Sequence, residues 1–166
     1  KSEKKEKVDL TITAPITTGI KVRQNQIVVK ELLASAEKSI LITGYSMSEY
    51  FAELLDLIIE KSQRGILCQI YLNQAEKHIY LDKLMRYKGR FLNVYDYQNS
   101  EDKMAALHAK VICVDGYKSL ISSANLSYHG LEGNIELGTV IESERIGKQL
   151  TDAFKELRFK KIFVEL

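Results

Sequence analysis

Leu107-His108-Ala109-Lys110-Val111-Ile112-Cys113-Val114-Asp115 is the stretch whose reading decides the fold, together with its return Ser119-Leu120-Ile121-Ser122-Ser123-Ala124-Asn125. Leu107, Val111, Ile112, Cys113 and Val114 are apolar at both parities, the pattern of an interior strand covered on each face. Side chains two apart on a strand share a face, so His108 and Lys110 project together while Ala109 turns away. An imidazole and an ammonium in a strand interior need a partner, because burying an unpaired charge is costly. An anionic ligand would supply one. Asp115-Gly116 is a turn dipeptide, and the strand that returns carries Ser123, with Asn125 two residues further on. The set holds a nucleophile, a cation and two small hydrogen-bonding side chains. Displacement at a phosphodiester needs that combination: an attacking atom, and donors for the non-bridging oxygens.

Working outward, strands and helices alternate. Upstream come a strand over Phe91–Tyr97, a helix over Glu76–Lys88 stopped by Gly89, and an interior strand over Ile66–Leu72. Before these lies a helix with Phe51, Leu54, Leu55, Ile58 and Ile59 at helical spacing, capped by Ser48 and closed by Arg64-Gly65. Ile40–Tyr45 reads as a buried strand and Arg23–Lys38 as an amphipathic helix. Val8–Ala14 reads as a short edge strand ended by Pro15, and residues 1–7 as a mixed-charge, solvated linker. Downstream follow a strand over Ile135–Ile141, a helix opened by Ser143 and running through Leu157, and a tail edge strand within Phe159–Leu166. Strands joined through helices imply right-handed crossovers. The expectation is an α/β domain over residues 8–166, with a mixed, mostly parallel sheet between helices on both faces.

A chain of 166 residues, 45% apolar and 28% charged, has room for one substantial core. Its net charge of +2 is too small to announce nucleic-acid binding, so a basic surface would have to be local. No apolar run reaches membrane-spanning length and no signal peptide opens the sequence. A first residue of Lys instead of Met suggests a piece of something longer. Cys68 and Cys113 fall in apolar strands and read as reduced core residues, which suggests a cytoplasmic protein. No carboxylates or His and Cys residues stand at metal-ligand spacing, so neither metal nor cofactor is expected.

The motif resembles the signature of the phospholipase D superfamily, His-x-Lys-x4-Asp-x6-Gly-Ser-x-Asn, with Ser122 in place of the usual Gly. Glu136, in Asn134-Ile135-Glu136-Leu137, matches the Glu that orients the catalytic His in single-motif bacterial nucleases of that superfamily. The resemblance implies that His108, Lys110 and Glu136 are catalytic. It also implies that Lys110, Ser123 and Asn125 bind the substrate phosphate, with Asp115 in a supporting role. In the superfamily two His-x-Lys units meet at one phosphate: one His forms a phosphohistidine, the other protonates the leaving alkoxide, and water then hydrolyses the intermediate. One unit per chain implies a homodimer. A short single-motif chain resembles the nucleases of restriction and phage-defence systems, with DNA as the expected partner, other defence subunits as further partners, and no membrane. The alternatives are a nucleic-acid-binding module with little catalysis and a phospholipid hydrolase.

Other residues have weaker claims. Tyr45 and Ser46 follow a strand end, where ligands of open α/β sheets collect. His129 follows the Asn125 loop and reads as an exposed loop residue with a ligand role as the alternative. Tyr95 and Tyr97 read as packing, and His78 has no assigned role.

Overall fold

The computed structural model describes residues 4–15, 17, 19–99 and 101–166, so residues 1–3 of the expected linker and residue 100 of the polar loop lie outside the described residues. Among the described residues the elements are β1 (Lys7–Thr13), β2 (Arg23–Gln24), α1 (Asn25–Ser35), β3 (Ser39–Gly44), α2 (Ala52–Gln63), β4 (Leu67–Leu72), α3 (Leu81–Tyr87), β5 (Leu92–Tyr97), β6 (Lys110–Val114), β7 (Lys118–Ser122), β8 (Glu136–Glu142), α4 (Glu144–Phe159) and β9 (Phe163–Glu165). The strands form one mixed sheet in the order β2-β1-β8-β7-β6-β3-β4-β5-β9. Only β1–β2, β3–β4 and β4–β5 are parallel; the other five pairings are antiparallel, so the sheet is less parallel than expected. The β6–β7–β8 meander supplies two of the antiparallel pairings, and the short turn at residues 115–117 between β6 and β7 leaves no room for a crossover.

Each interior strand splits its apolar residues between two cores. Ile40, Ile42, Ile70, Leu72, Ile112 and Val114 face α1, α2 and α3, where they meet Val28, Leu33, Leu55, Ile58 and Leu84. The alternate residues Leu41, Tyr71, Val111 and Cys113 face α4, where they meet Phe154. This period of two, read from both sides, is why the central strands are apolar throughout. By register Val8, Leu10, Ile121 and Leu137 also belong to the α4 side, yet all four are exposed because α4 does not reach over them. Tyr95 stacks on Tyr71 with ring centroids 4.9 Å apart, and Tyr97 packs on Phe163, so both are packing residues.

Several boundaries differ from the sequence reading, each for a local reason. β1 is not the edge strand, because two-residue β2 pairs outside it. The helix expected from Arg23 therefore starts at Asn25. The segment Glu76–Lys88 holds a 3-10 turn, Ala75–Lys77, before α3, with the Asp96 carboxylate accepting from Ala75 N–H at 2.9 Å. Burial pushes the Asp96 pKa up from the ordinary carboxylate value. The expected linker is tied down at its end: Glu6 accepts from Ser143 Oγ at 2.6 Å and Arg145 Nε at 3.1 Å, and Lys7 already belongs to β1. Ser143 Oγ in turn accepts from Ile146 N–H at 3.1 Å, capping α4. Cys68 and Cys113 are buried free thiols.

Candidate active site

The candidate site forms where two strands stop pairing. β6 pairs with β3 at Val114, Cys113 and Ile112 and no further. The next position of β3, Thr43, takes over with its side chain: Oγ1 donates to Ala109 O at 2.6 Å and accepts from Val111 N–H at 2.9 Å. On the other side, Asn73 Oδ1 at the end of β4 accepts from Leu107 N–H at 2.9 Å. Two side chains thus pin the peptides flanking His108, while the imidazole stands exposed beyond the strand end. This corrects the expectation of an imidazole in a strand interior. Only Lys110 is in β6, and it is half-buried.

Lys110 Nζ lies 3.0 Å from His108 Nδ1 and 3.2 Å from Nε2, and donates to His108 O at 2.8 Å. Nζ thus sits within reach of both ring nitrogens, and which of them can accept depends on the tautomer of the ring. Burial lowers the Lys110 pKa from its usual value, and the Glu136 carboxylate acts in the opposite sense. The Tyr45 ring, just past the end of β3, meets the His108 ring edge-on with centroids 4.8 Å apart, and Lys110 Nζ lies 5.2 Å from the same Tyr45 centroid.

Glu136 opens β8 beside Ser123. Its carboxylate accepts from Ser123 Oγ and, at 3.1 Å, from Asn134 Nδ2. Ser123 Oγ also accepts from Leu137 N–H at 3.2 Å, locking the β7 end to β8. Among the described residues no hydrogen bond joins Glu136 to His108; the carboxylate reaches Ser123 and influences Lys110. Ser122 Oγ accepts from Ala124 N–H at 3.0 Å, a turn bond. Asn125 follows in a loop on which Gly130 is seated: a Cβ on Gly130 would fall 2.0 Å from Asn125 O. Gly130 belongs to one π-helical turn, His129–Gly133. It is tethered through a buried relay, in which Asn25 Nδ2 donates to Thr13 Oγ1 at 3.0 Å and Thr13 Oγ1 donates to Gly130 O at 2.8 Å.

Asp115 stands apart from this cluster, at the opposite end of β6. Its Oδ1 accepts from the N–H groups of Glu37, Lys38 and Ser39 at 3.1, 2.7 and 3.0 Å. Asp115 and Gly116 both have positive φ, 57° and 62°, and Tyr117 N–H donates to Val114 O at 3.0 Å. This is the turn geometry for which Asp-Gly is suited. His129 is exposed and packs against the Tyr128 ring, and His78 Nε2 lies 3.0 Å from Asn73 O.

Thr43, Asn73, Thr13, Asn25 and Gly130 were not singled out from sequence. Thr43 and Asn73 carried a usable signal, a polar residue at the carboxyl end of an apolar parallel strand, where sites collect. Gly130 carried none, since its requirement is a contact with a distant backbone. Among the described residues no group of three or more His, Cys, Asp or Glu side chains could hold a metal ion, and no helix is long and apolar enough to cross a membrane.

Comparison with known proteins bears on the family and the fold. The chain is similar to the DISARM protein DrmC of Bacillus paralicheniformis, with 37% identity over 144 residues, covering 84% of this chain and 58% of that relative's length. Its fold is similar to that of NucT from Helicobacter pylori (TM-score 0.75, 18% identity, covering 98% of this chain and 100% of that one). It is likewise similar to Nuc from Salmonella typhimurium, a phospholipase D family member (TM-score 0.72, 16% identity, covering 98% and 99%). A family described as cardiolipin synthase, PLD-like domain, matches residues 29–158. With that family model matching residues 29–158 and a relative 37% identical over 84% of the chain, the chain belongs to the PLD-like family.

Proposed function

We propose that this chain is a phosphodiesterase acting on nucleic acid, DNA foremost, through a phosphohistidine and without a metal ion. The observation that carries this reading is the 3.0 Å approach of Lys110 Nζ to a ring nitrogen of an exposed His108. His108 attacks phosphorus and forms the P–N bond as the P–O bond to the leaving alkoxide breaks. Lys110 and Asn125 hold the non-bridging oxygens, supplying positive charge and a donor where charge develops. Water then attacks the phosphohistidine and releases the phosphate monoester. Protonating the alkoxide needs a second acid. The other two histidines of the chain are engaged elsewhere, His78 at Asn73 and His129 at Tyr128. In the superfamily that the motif resembles, the acid is the His of a second His-x-Lys unit, and a twofold homodimer would supply it from the same surface as His108 of a second copy. The similarity to a DISARM protein supports a place in a defence or restriction system, among other subunits of that system.

The test incubates the purified chain with labelled single- and double-stranded DNA and RNA, and in parallel with phosphatidylglycerol vesicles, all in excess EDTA. Cleavage of nucleic acid that persists in EDTA and is lost in His108→Ala is the expected result. Tight DNA binding without cleavage, unchanged in His108→Ala, would make the chain a binding module. Headgroup release from vesicles alone would make it a phospholipid hydrolase. Cleavage seen only after magnesium is restored would overturn the metal-free mechanism, and a fully active monomer by light scattering would overturn the dimer.

A further inference from the structure

We infer that Tyr45 is a positioning residue for the nucleophile: its ring is the wall that keeps the His108 imidazole aligned when Lys110 leaves it for the substrate phosphate. The inference rests on the reading of His108 as nucleophile. His108 is exposed on a segment that has left the strand ladder, so neither burial nor pairing fixes its side chain. Two groups touch the imidazole in the contacts described above, Lys110 Nζ and the Tyr45 ring. Lys110 cannot serve both the ring and a phosphate oxygen along one direction. Once it turns to the phosphate, the edge-on Tyr45 contact at 4.8 Å is what remains. Glu136, the residue expected to orient the ring, is held by Ser123 and Asn134.

A wall must itself be fixed, and Tyr45 sits on a short connection anchored at both ends. Before it, Gly44 O accepts from Asn73 N–H at 3.2 Å, and Met47 packs so closely over Gly44 that a Cβ there would meet Met47 Cε at 2.2 Å. After it, Met47 bridges Leu126, and Ser48 N–H donates to Leu126 O at 3.3 Å. Leu126 directly follows Asn125. The connection that carries Tyr45 is therefore bonded to the loop that carries the phosphate-binding Asn125, and nucleophile and phosphate are referenced to the same backbone. The contact uses the ring of Tyr45, so a phenyl group serves equally.

Tyr45→Ala and Tyr45→Phe test this, because the side chain is 38% exposed and its removal leaves the anchoring backbone bonds in place. The first readout is the imidazole proton shifts of His108 by NMR, assigned by their loss in His108→Ala. Ring-current displacement should be present in the wild type and Tyr45→Phe and absent in Tyr45→Ala, with His78 and His129 signals unmoved. The second is steady-state cleavage: Tyr45→Ala should lose about 10- to 100-fold in kcat with KM within about twofold, and Tyr45→Phe should restore the rate. An unchanged His108 shift in Tyr45→Ala, or a raised KM at constant kcat, would overturn the inference; the latter would make the ring a substrate contact. If the wild type cleaves nothing, the proposed function fails, while the shifts still decide whether the ring holds the imidazole.

Discussion

Asp115 is the motif residue that the structure removes furthest from the chemistry, and Asp115→Ala separates the two readings of it. The substitution deletes three charge-assisted hydrogen bonds onto the α1–β3 connection. Such bonds contribute about 1.5–3 kcal/mol each, but Glu37 and Lys38 are exposed and their N–H groups regain water. Ala must also occupy the left-handed conformation at φ 57°, at a cost of about 1–2 kcal/mol. The net expected loss is about 2–4 kcal/mol, which at a urea slope of about 2 kcal/mol per molar lowers the unfolding midpoint by about 1–2 M. Asp115→Asn keeps an acceptor at Oδ1 and tolerates the same conformation, so it should lose only about 1 kcal/mol. Turnover per folded molecule should match the wild type in both variants. Urea titration with kcat measured well below each midpoint checks this. An Asp115→Ala protein that unfolds at the wild-type midpoint yet has lost turnover would refute the reasoning and put Asp115 in the chemistry.

Two further outcomes follow from the site. Burial already lowers the Lys110 pKa and Glu136 opposes that, so removing the carboxylate in Glu136→Gln lowers it further; the alkaline limb of the kcat profile should then move to lower pH, and an unmoved limb would deny the coupling. Gly130→Ala forces a Cβ to within 2.0 Å of Asn125 O, so it should cost about 1–3 kcal/mol and most of the turnover, read by thermal melting and kcat against Gly89→Ala, where nothing lies within 4 Å.

What the sequence made legible follows from where its signals are local. The two-sided apolar strands, the Asp115-Gly116 turn and the Ser143 cap are each decided by neighbours within a few residues, and the structure has them at or near the expected positions. The facing of the β6 residues was legible for the same reason, since a period of two sets the direction of Val111 and Cys113 against Ile112 and Val114. What remained hidden depends on contacts far along the chain. Glu6 reaches Ser143 and Arg145, Thr13 reaches Gly130, and Asn73 reaches Leu107. His108 is exposed, against the sequence reading, because apolar neighbours predict a strand but not where its partner ends. Thr43, one position past the last β3–β6 pair, makes that decision.

The placement of β1 has a consequence for how the chain is made. Lys7 pairs with Glu142, about 135 residues later, and β1 runs antiparallel to β8 along its whole length. At a synthesis rate of roughly 5–20 residues per second, the first strand waits about 7–27 s before its partner has even been polymerised. Through that interval a segment rich in Val, Leu, Ile and Thr has only two-residue β2 to pair with along one edge and nothing along the other, a template for mispairing between nascent chains. Lys7 and Asp9 within it, and Lys4, Lys5 and Glu6 just before it, are the charges that guard those edges. The β3–β4–β5 block can assemble during the delay, because its strands arrive in order and each pairs with the next. Closure of β1 on β8 thus waits for the emergence of Glu136, which opens β8, and precedes the arrival of β9, which seals the opposite edge of the sheet on β5.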